Sequence, residues 1–382
     1  MKILNACKVG MALTAAAFLG MTTAQSADAI SFSLTDLGTL GGDYNQSYAN
    51  AINDYGQVVG YSRNANWQSR AFFWDNNSGM VNLGTLGGNS SGARAINNYG
   101  QVVGQSSTAN RQGRAFLWEK SSGMSDLGTL GGDYSSANAI NDYGQVIGQS
   151  TNANGKIRAF FWEKSSGMSD LGTLGSDYSF ARAINDYGQV VGSSTTADEQ
   201  SRAFLWEKSS GMSDLGTLGG DSSYAAAINN LGQVIGSSKT ADGLPRAFLW
   251  EKSSGMSDLG TLGGNDSDAT AINNLGQVIG YYTADWQSRP FFWDKTSGMS
   301  DLNDLISDLG WTVNGVVGIN NAGQIVGYGS YNGQGRAFLL TPNISKSVPE
   351  PSSALAFLAL GGVGAGSLAK RQRLQQDASS CN

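Results

Sequence analysis

The chain has 382 residues and a formal net charge of −6, with only 14% charged residues but glycine at 53 positions. Its hydrophobic content of 40% excludes an intrinsically disordered chain, which needs low hydrophobicity together with high charge. Because both terminal segments are net positive, the body between them is more acidic than the whole chain, and nucleic acid is therefore excluded as an expected partner.

Residues 1–29 have the three parts of a secretory signal peptide. Lys2 and Lys8 supply positive charge, residues 9–20 are apolar, and the small residues 27–29 offer a cleavage site. The apolar run is shorter than the roughly 20 residues that span a bilayer. We therefore expect Sec-type export and removal of this segment.

Residues 30–342 consist of seven copies of a repeat about 44 residues long. An Ala-Ile-Asn triplet marks six copies, and Gly-Ile-Asn marks the seventh. The isoleucines of these triplets are Ile52, Ile96, Ile140, Ile184, Ile228, Ile272 and Ile319. The repeats resemble those of the extracellular HAF family, named for a His-Ala-Phe segment, although this chain has Arg where the family has His.

Each repeat predicts four short antiparallel strands. In the third copy they cover residues 136–140, 145–150, 158–162 and 168–174, and the Asn-Asp-Tyr-Gly turn at 141–144 joins the first two. Four strands in about 44 residues are the size of a propeller blade. The pattern therefore predicts an all-β fold, a seven-bladed β-propeller.

The seventh repeat lacks a fourth strand, and residues 30–42 contain one that precedes the first repeat. We therefore expect the N-terminal strand to complete the last blade and close the ring, which also protects the sheet edges. The alternative is an open β-solenoid, which would need atypical capping units at both ends.

Several residue types recur at fixed positions. We expect Phe160, Phe161 and Trp162 and their equivalents to form the core between blades. A second set predicts one Arg–carboxylate pair in each blade, with an arginine ring for acidic sugars as the alternative. Its arginines are Arg70, Arg114, Arg158, Arg202, Arg246, Arg289 and Arg336, and their partners are Asp36, Asn82, Asp126, Asp170, Asp214, Asp258 and Asp301.

No catalytic residue and no required cofactor are predicted. Without histidine, serine–histidine–aspartate catalysis is excluded, and the usual zinc and haem sites lack ligands. The unrepeated acids Glu199, Asp266, Asp268 and Asp285 are expected mostly in polar loops, without an acid–base pair. Asn and Asp oxygens in the repeated turns would suit Ca²⁺, but turn formation explains them equally well.

The best candidates for ligand contact are Trp67 and Trp286, which break the 44-residue pattern. Each precedes a Gln-Ser-Arg segment in the loop before a third strand. Exposed Trp faces commonly stack on sugars or partner proteins. The alternative is that each ring lies on its own blade.

The C-terminal segment has three parts in a fixed order. Residues 343–353 are a linker containing Pro349, Glu350 and Pro351, and residues 354–382 begin with an apolar stretch. The basic residues that follow it are Lys370, Arg371 and Arg373. This arrangement resembles the PEP-CTERM sorting signal of Gram-negative bacteria. The resemblance implies recognition by an exosortase-like membrane enzyme and a transient or permanent transmembrane helix in the inner membrane.

Together these features predict an exported, non-enzymatic protein of the outer surface or extracellular matrix of a Gram-negative-type bacterium. It would act as a rigid interaction module for extracellular polysaccharide or envelope proteins. The alternatives are a polysaccharide-active hydrolase or lyase with a propeller body, and a passive structural filler.

Overall fold

Seven four-stranded antiparallel sheets form the protein, as a computed structural model shows for residues 31–41, 46–306, 309–331 and 333–343. The first strand is β1 (Ser31–Asp36). Blade 1 consists of β2 (Ser47–Ile52), β3 (Val58–Arg63), β4 (Ser69–Asp75) and β5 (Gly79–Asn82). Blade 2 consists of β6 (Gly87–Ile96), β7 (Val102–Thr108), β8 (Gly113–Glu119) and β9 (Gly123–Asp126). Blade 3 consists of β10 (Gly131–Ile140), β11 (Val146–Asn152), β12 (Ile157–Glu163) and β13 (Gly167–Asp170).

The remaining blades follow the same order. Blade 4 consists of β14 (Gly175–Ile184), β15 (Val190–Thr196), β16 (Ser201–Glu207) and β17 (Gly211–Asp214). Blade 5 consists of β18 (Gly219–Ile228), β19 (Val234–Thr240), β20 (Pro245–Glu251) and β21 (Gly255–Asp258). Blade 6 consists of β22 (Asp266–Ile272), β23 (Val278–Ala284), β24 (Gln287–Asp294) and β25 (Gly298–Asp301). After the short helix α1 (Leu302–Leu305), blade 7 contains β26 (Thr312–Ile319), β27 (Ile325–Tyr331) and β28 (Gln334–Asn343).

The N-terminal strand completes blade 7, as the divided repeat predicts. β1 pairs antiparallel with β28, from Ser31 opposite Asn343 to Asp36 opposite Phe338. The sheet order β1-β28-β27-β26 therefore joins the two ends of the folded body in one blade. The prediction of a closed seven-bladed β-propeller is confirmed.

The core lies between neighbouring blades. The first phenylalanine of the Arg-Ala-Phe-type segment is fully buried in all seven copies, at Phe72, Phe116, Phe160, Phe204, Phe248, Phe291 and Phe338. One cluster combines Val103 and Leu117 of blade 2 with Val146 and Phe160 of blade 3, so the clusters hold blades together. The core prediction is correct for Phe160 and Phe161, but Trp162 is only partly buried at the edge of this cluster.

A glycine in each second strand allows the innermost strand to bulge. In blade 3 the pairing register between β10 and β11 shifts between Ala137 and Ala139. A Cβ on Gly148 would lie 2.0 Å from the carbonyl oxygen of Ser136, which no real side chain tolerates. The recurrent Val-Gly or Ile-Gly pair is therefore a packing requirement of the bulged strand.

The predicted signal peptide, linker and membrane segment lie outside the described residues. Within the described part of the chain, no helix is long and apolar enough to cross a membrane. All described residues belong to one compact unit, residues 30–344.

Candidate functional site

The antiparallel blades give the ring two chemically different faces. In blades 1 to 6 the first and third connections leave from one end of the sheet and the second connection leaves from the other; in blade 7 the first and second connections leave from opposite ends in the same way. We call the side with the first and third connections the turn face, and the side with the second connections the loop face. The Asn-Asp-Tyr-Gly turns therefore lie on the turn face, and the loops that contain Trp67 and Trp286 lie on the loop face.

Each first connection is organised by one buried asparagine. In blade 3 the Oδ1 of Asn141 accepts the backbone N–H groups of Tyr143 and Gln145, at 3.1 and 3.0 Å. Its Nδ2 donates to the Gln145 side chain at 2.7 Å and to the backbone oxygen of Asn185 in blade 4 at 3.1 Å. The side chain is thus fully bonded, and it fixes both the turn and the distance to the next blade.

The same inter-blade bond occurs between every pair of neighbouring blades. Its length is 2.9–3.2 Å throughout, and the Nδ2 of Asn320 in blade 7 donates to the Asn53 oxygen of blade 1. The donors are Asn53, Asn97, Asn141, Asn185, Asn229, Asn273 and Asn320. A continuous ring of side-chain bonds therefore surrounds the central axis at the turn face.

A second ring is formed by the residue that follows each of these asparagines. Its backbone N–H donates to the Oδ1 of the equivalent side chain in the next blade, at 2.8–3.0 Å. The ring contains Asp54, Asn98, Asp142, Asp186, Asn230, Asn274 and Asn321 around an axial cavity of about 180 Å³. These are the oxygens considered above for Ca²⁺, and one oxygen of each side chain is engaged between blades. In the described part of the chain, no three His, Cys, Asp or Glu side chains cluster closely enough to hold a metal ion.

The third residue of each turn points into solvent. In blades 1 to 4 it is Tyr55, Tyr99, Tyr143 and Tyr187, each 74–77% exposed. Blades 5 and 6 have Leu231 and Leu275 there, and blade 7 has Ala322. A row of exposed aromatic side chains therefore covers four consecutive blades of the turn face.

Three of these tyrosines line a groove of about 1110 Å³ that crosses blades 1 to 3. Tyr55, Tyr99 and Tyr143 lie on its axial side, and the outer strands and hairpins contribute Trp118 and Trp162. Tyr187 is exposed in the same way but does not line the groove. We call this site the aromatic groove.

Polar side chains of both charges also line the aromatic groove. They include Asp75, Glu119, Lys120 and Lys164. The Glu119 carboxylate accepts a bond of 2.7 Å from the Gln101 side chain. The site therefore combines aromatic faces with hydrogen-bonding groups, which is the combination that sugar rings require for stacking and orientation.

The repeated Arg–carboxylate pairs occur near the loop-face end of the third and fourth strands. Five of them have nitrogen–oxygen distances of 3.6–3.8 Å, and the arginines involved are Arg114, Arg202, Arg246, Arg289 and Arg336. In blade 3, Arg158 instead has a buried Nε without a hydrogen-bond partner among the described residues. Pairs this long contribute little to stability, so they serve mainly to orient the two strands.

Trp67 and Trp286 are exposed on the loop face and do not line the aromatic groove. Their exposed fractions are 55% and 95%, and the Arg63 guanidinium lies 5.9 Å from the Trp67 ring centre. Both residues have a left-handed backbone, with φ of 61° and 62°, where blades 3 and 5 use Gly155 and Gly243. Trp67 lies on blade 1 and Trp286 on blade 6, which are not neighbouring blades. The structure therefore does not bring the two rings together, and neither of them lines the aromatic groove.

The unrepeated acids are not all in loops. Glu199 and Asp285 lie in second connections, but Asp266 and Asp268 belong to β22, an innermost strand, so the expectation of loop positions is wrong for these two. The Tyr224 hydroxyl donates a hydrogen bond to the Asp268 carboxylate. Burial raises the pKa of both groups above their usual values.

The exposed tyrosines have a signal in the sequence, although the residues predicted for ligand contact are Trp67 and Trp286. A tyrosine recurs in the turn of four repeats, between an Asx residue and a glycine, where nothing in a tight turn can bury it. The place of the tyrosine in a tight turn, rather than its spacing, therefore indicates an exposed ring.

These features define a seven-bladed β-propeller with an aromatic groove on one face. The β-propeller domain of the Trilobed protease from Pyrococcus furiosus is similar, with a TM-score of 0.51 and 10% identity over 80% of this chain and 100% of that one. A puromycin hydrolase gives 0.50 and 11% over 76% of this chain and 51% of that one. TolB from Acinetobacter baumannii gives 0.44 and 11%, and this chain spans 65% of its length. At such low identity, the first two likenesses show the fold alone.

Two family models match parts of the chain. Residues 12–130 match a family described as a protein of unknown function, DUF3466. Residues 347–373 match the PEP-CTERM protein-sorting motif, which contains the predicted Pro349, Glu350 and Pro351 together with the basic residues. The sorting signal is thereby confirmed: the protein is exported and carries a signal processed by an exosortase-type enzyme. No curated protein matches the chain.

Proposed function

We propose that this protein is a non-enzymatic binding module of the cell surface or extracellular matrix, built from HAF-type repeats, and that it holds extracellular polysaccharide in the aromatic groove. The sorting signal supports a site of action outside the cytoplasm. The single observation that carries the proposal is the row of exposed tyrosines that enters a groove lined by Trp118 and Trp162.

The fold does not require aromatic rings at these exposed positions. The turn is held by Asn141 and its equivalents, and leucine or alanine replaces tyrosine at the same position in blades 5 to 7. An exposed aromatic face becomes favourable when a sugar ring or another apolar surface covers it. A polysaccharide chain could contact several such rings at once, because one tyrosine projects from each of blades 1 to 4.

Two carboxylates in the groove, Glu119 and Asp75, support binding rather than glycoside hydrolysis. Glu119 is held by Gln101, and the Asp75 carboxylate accepts the backbone N–H groups of Asn77 and Ser78 in its own turn. These turn bonds keep the pKa of Asp75 below its usual value, whereas a general acid needs a raised one. Release of reducing ends from extracted polysaccharide, abolished by Glu119→Gln, would instead establish the hydrolase alternative.

The proposal is tested by binding of the purified protein to isolated matrix polysaccharide. The variant with Tyr55, Tyr99 and Tyr143 all changed to alanine should bind at least about tenfold more weakly, since each stacked ring contributes about 1 kcal/mol. Tyr187→Ala is the matched control, with equal exposure outside the groove. Equal loss in the control, or unchanged binding by the triple variant, would overturn the groove assignment.

A second arm tests the two tryptophans on the loop face. If Trp67→Ala and Trp286→Ala weaken binding while the tyrosine variant does not, the polysaccharide binds the loop face, as the sequence suggested. If neither set matters, the protein is a structural filler.

A further inference from the structure

The loop-face mouth of the central channel has a composition unlike that of the turn face. A cavity of about 820 Å³ opens there, and Arg94, Arg111 and Arg182 contribute to its wall. No acidic side chain lines this cavity among the described residues. The whole chain has a net charge of −6, whereas the side chains that line this cavity are net positive.

Two of the arginines reach the channel through the β-bulges. Arg94 falls where the register of β6 shifts between Ala93 and Ala95, and Arg182 falls where that of β14 shifts between Ala181 and Ala183. A bulge leaves its extra residue unpaired and redirects the side chain. The equivalent residues in the other blades are Asn50, Asn138, Ala226, Thr270 and Val317. The β-bulge thus occurs in all seven blades, whereas the bulged residue is an arginine in only two of them.

Neither arginine is neutralised by an ion pair in the described part of the chain. Arg94 donates one bond of 2.6 Å to the Oδ1 of Asn138, which leaves other donors of its guanidinium available. Arg94 and Arg182 line the same cavity, so two like charges face one space. Burial lowers the pKa of Arg94, and the charge of Arg182 also lowers it. An anion between them would relieve both effects.

We propose that the loop-face mouth of the channel is a binding site for the carboxylate of an acidic sugar, with Arg94 and Arg182 as its anion-binding residues. The planar guanidinium fork matches a carboxylate in two-point geometry. Amide and hydroxyl groups from Asn50, Gln105 and Tyr61 line the same cavity and suit the hydroxyl groups of a sugar ring. The site lies on the face opposite the aromatic groove and does not depend on it.

The test is calorimetric titration of the purified protein with an oligogalacturonate, alongside a neutral cello-oligosaccharide of the same length. Arg94→Gln and Arg182→Gln should each weaken oligogalacturonate binding at least about tenfold, because each removes a charge-assisted bond. Lys252→Gln is the charge-matched control on an exposed turn-face hairpin, and it should bind as the parent does. Thermal unfolding of each variant verifies that the blades remain intact.

Three results would overturn the proposal. One is oligogalacturonate binding that is unchanged in the double arginine variant. Another is equal binding of the neutral oligosaccharide, which would remove the role of the carboxylate. The third is displacement by inorganic phosphate at equal concentration, which would make the site a general anion site. Changing Tyr55, Tyr99 and Tyr143 to alanine should not affect this titration, so failure here and failure of the aromatic groove are distinguishable.

Discussion

The Nε of Arg336 lies 3.7 Å from the Oδ2 of Asp36, so an ion pair joins the last strand of the propeller to the first. The whole of β1 pairs with the C-terminal part of β28, and the Leu37 N–H donates to the Ala337 oxygen at 3.1 Å. Closure therefore combines backbone pairing, one ion pair and the buried Phe32. These contributions differ in magnitude and can be separated by substitution.

Closure should depend on apolar burial far more than on the ion pair. We expect Phe32→Ala to lower the free energy of unfolding by about 3–5 kcal/mol, because it leaves a cavity in the core of blade 7. Asp36→Ala should cost less than about 1 kcal/mol, since its carboxylate is substantially exposed. Urea unfolding of both variants measures the difference, and a larger cost for Asp36→Ala would contradict this account of closure.

The bulge glycines predict a sharp contrast between two glycine-to-alanine changes. Gly148→Ala should destabilise the protein by about 3 kcal/mol, because its Cβ would overlap the Ser136 carbonyl oxygen. Gly335→Ala is the control: nothing lies within 4 Å of its Cβ, and the change should stay within about 1 kcal/mol. Differential scanning calorimetry compares the two. Equal melting temperatures would mean that the bulge relaxes without cost.

Trp286 has a backbone conformation that favours glycine. Its φ is 62°, and its side chain is almost fully exposed. Trp286→Gly should therefore leave stability unchanged or raise it by up to about 1 kcal/mol, because relief of the left-handed strain offsets the entropy of glycine. Trp286→Ala keeps the strain and serves as the reference variant. A clear loss of stability in the glycine variant would show that the indole packs on its own blade.

Asp268 should make stability depend on pH. Its folded-state pKa is raised by burial, so the folded protein holds the proton to higher pH than the unfolded chain does. Stability is therefore lost as the pH rises through the unfolded value of 3.8 toward the folded one. Asp268→Asn should melt at a higher temperature than the parent at neutral pH, and the difference should shrink toward about pH 4. A constant difference across this range would argue against burial of the charge.

The blade and ring could be predicted from the sequence because each strand and turn has a local physical cause. The asparagine of each first turn is needed for that turn and for the bond to the next blade, so it recurs without exception. The divided repeat indicated closure, because the seventh repeat lacks a fourth strand and the N-terminal segment contains one. Both features follow from the repeat, so the period of the sequence is enough to predict them.

The candidate sites were harder to predict for the opposite reason. Trp162 has equivalents in six of the seven repeats and Phe160 in all seven, yet of these two residues only the phenylalanine is fully buried. Which repeated side chain faces the neighbouring blade and which faces solvent depends on packing between blades, not on spacing. The position of Arg94 and Arg182 in the channel could not be predicted from the sequence. Each lies at a β-bulge, which shifts the alternation of side chains along the strand by one residue.

Hydroxyl-radical footprinting tests the central claim most directly, because it reads the solvent exposure of individual tyrosines in the unmodified protein. With isolated matrix polysaccharide present, we expect oxidation of Tyr55, Tyr99 and Tyr143 to fall severalfold, while oxidation of Tyr187 stays unchanged as an internal reference. Equal oxidation of all four tyrosines with and without polysaccharide, or protection confined to Trp67 and Trp286, would contradict binding in the aromatic groove.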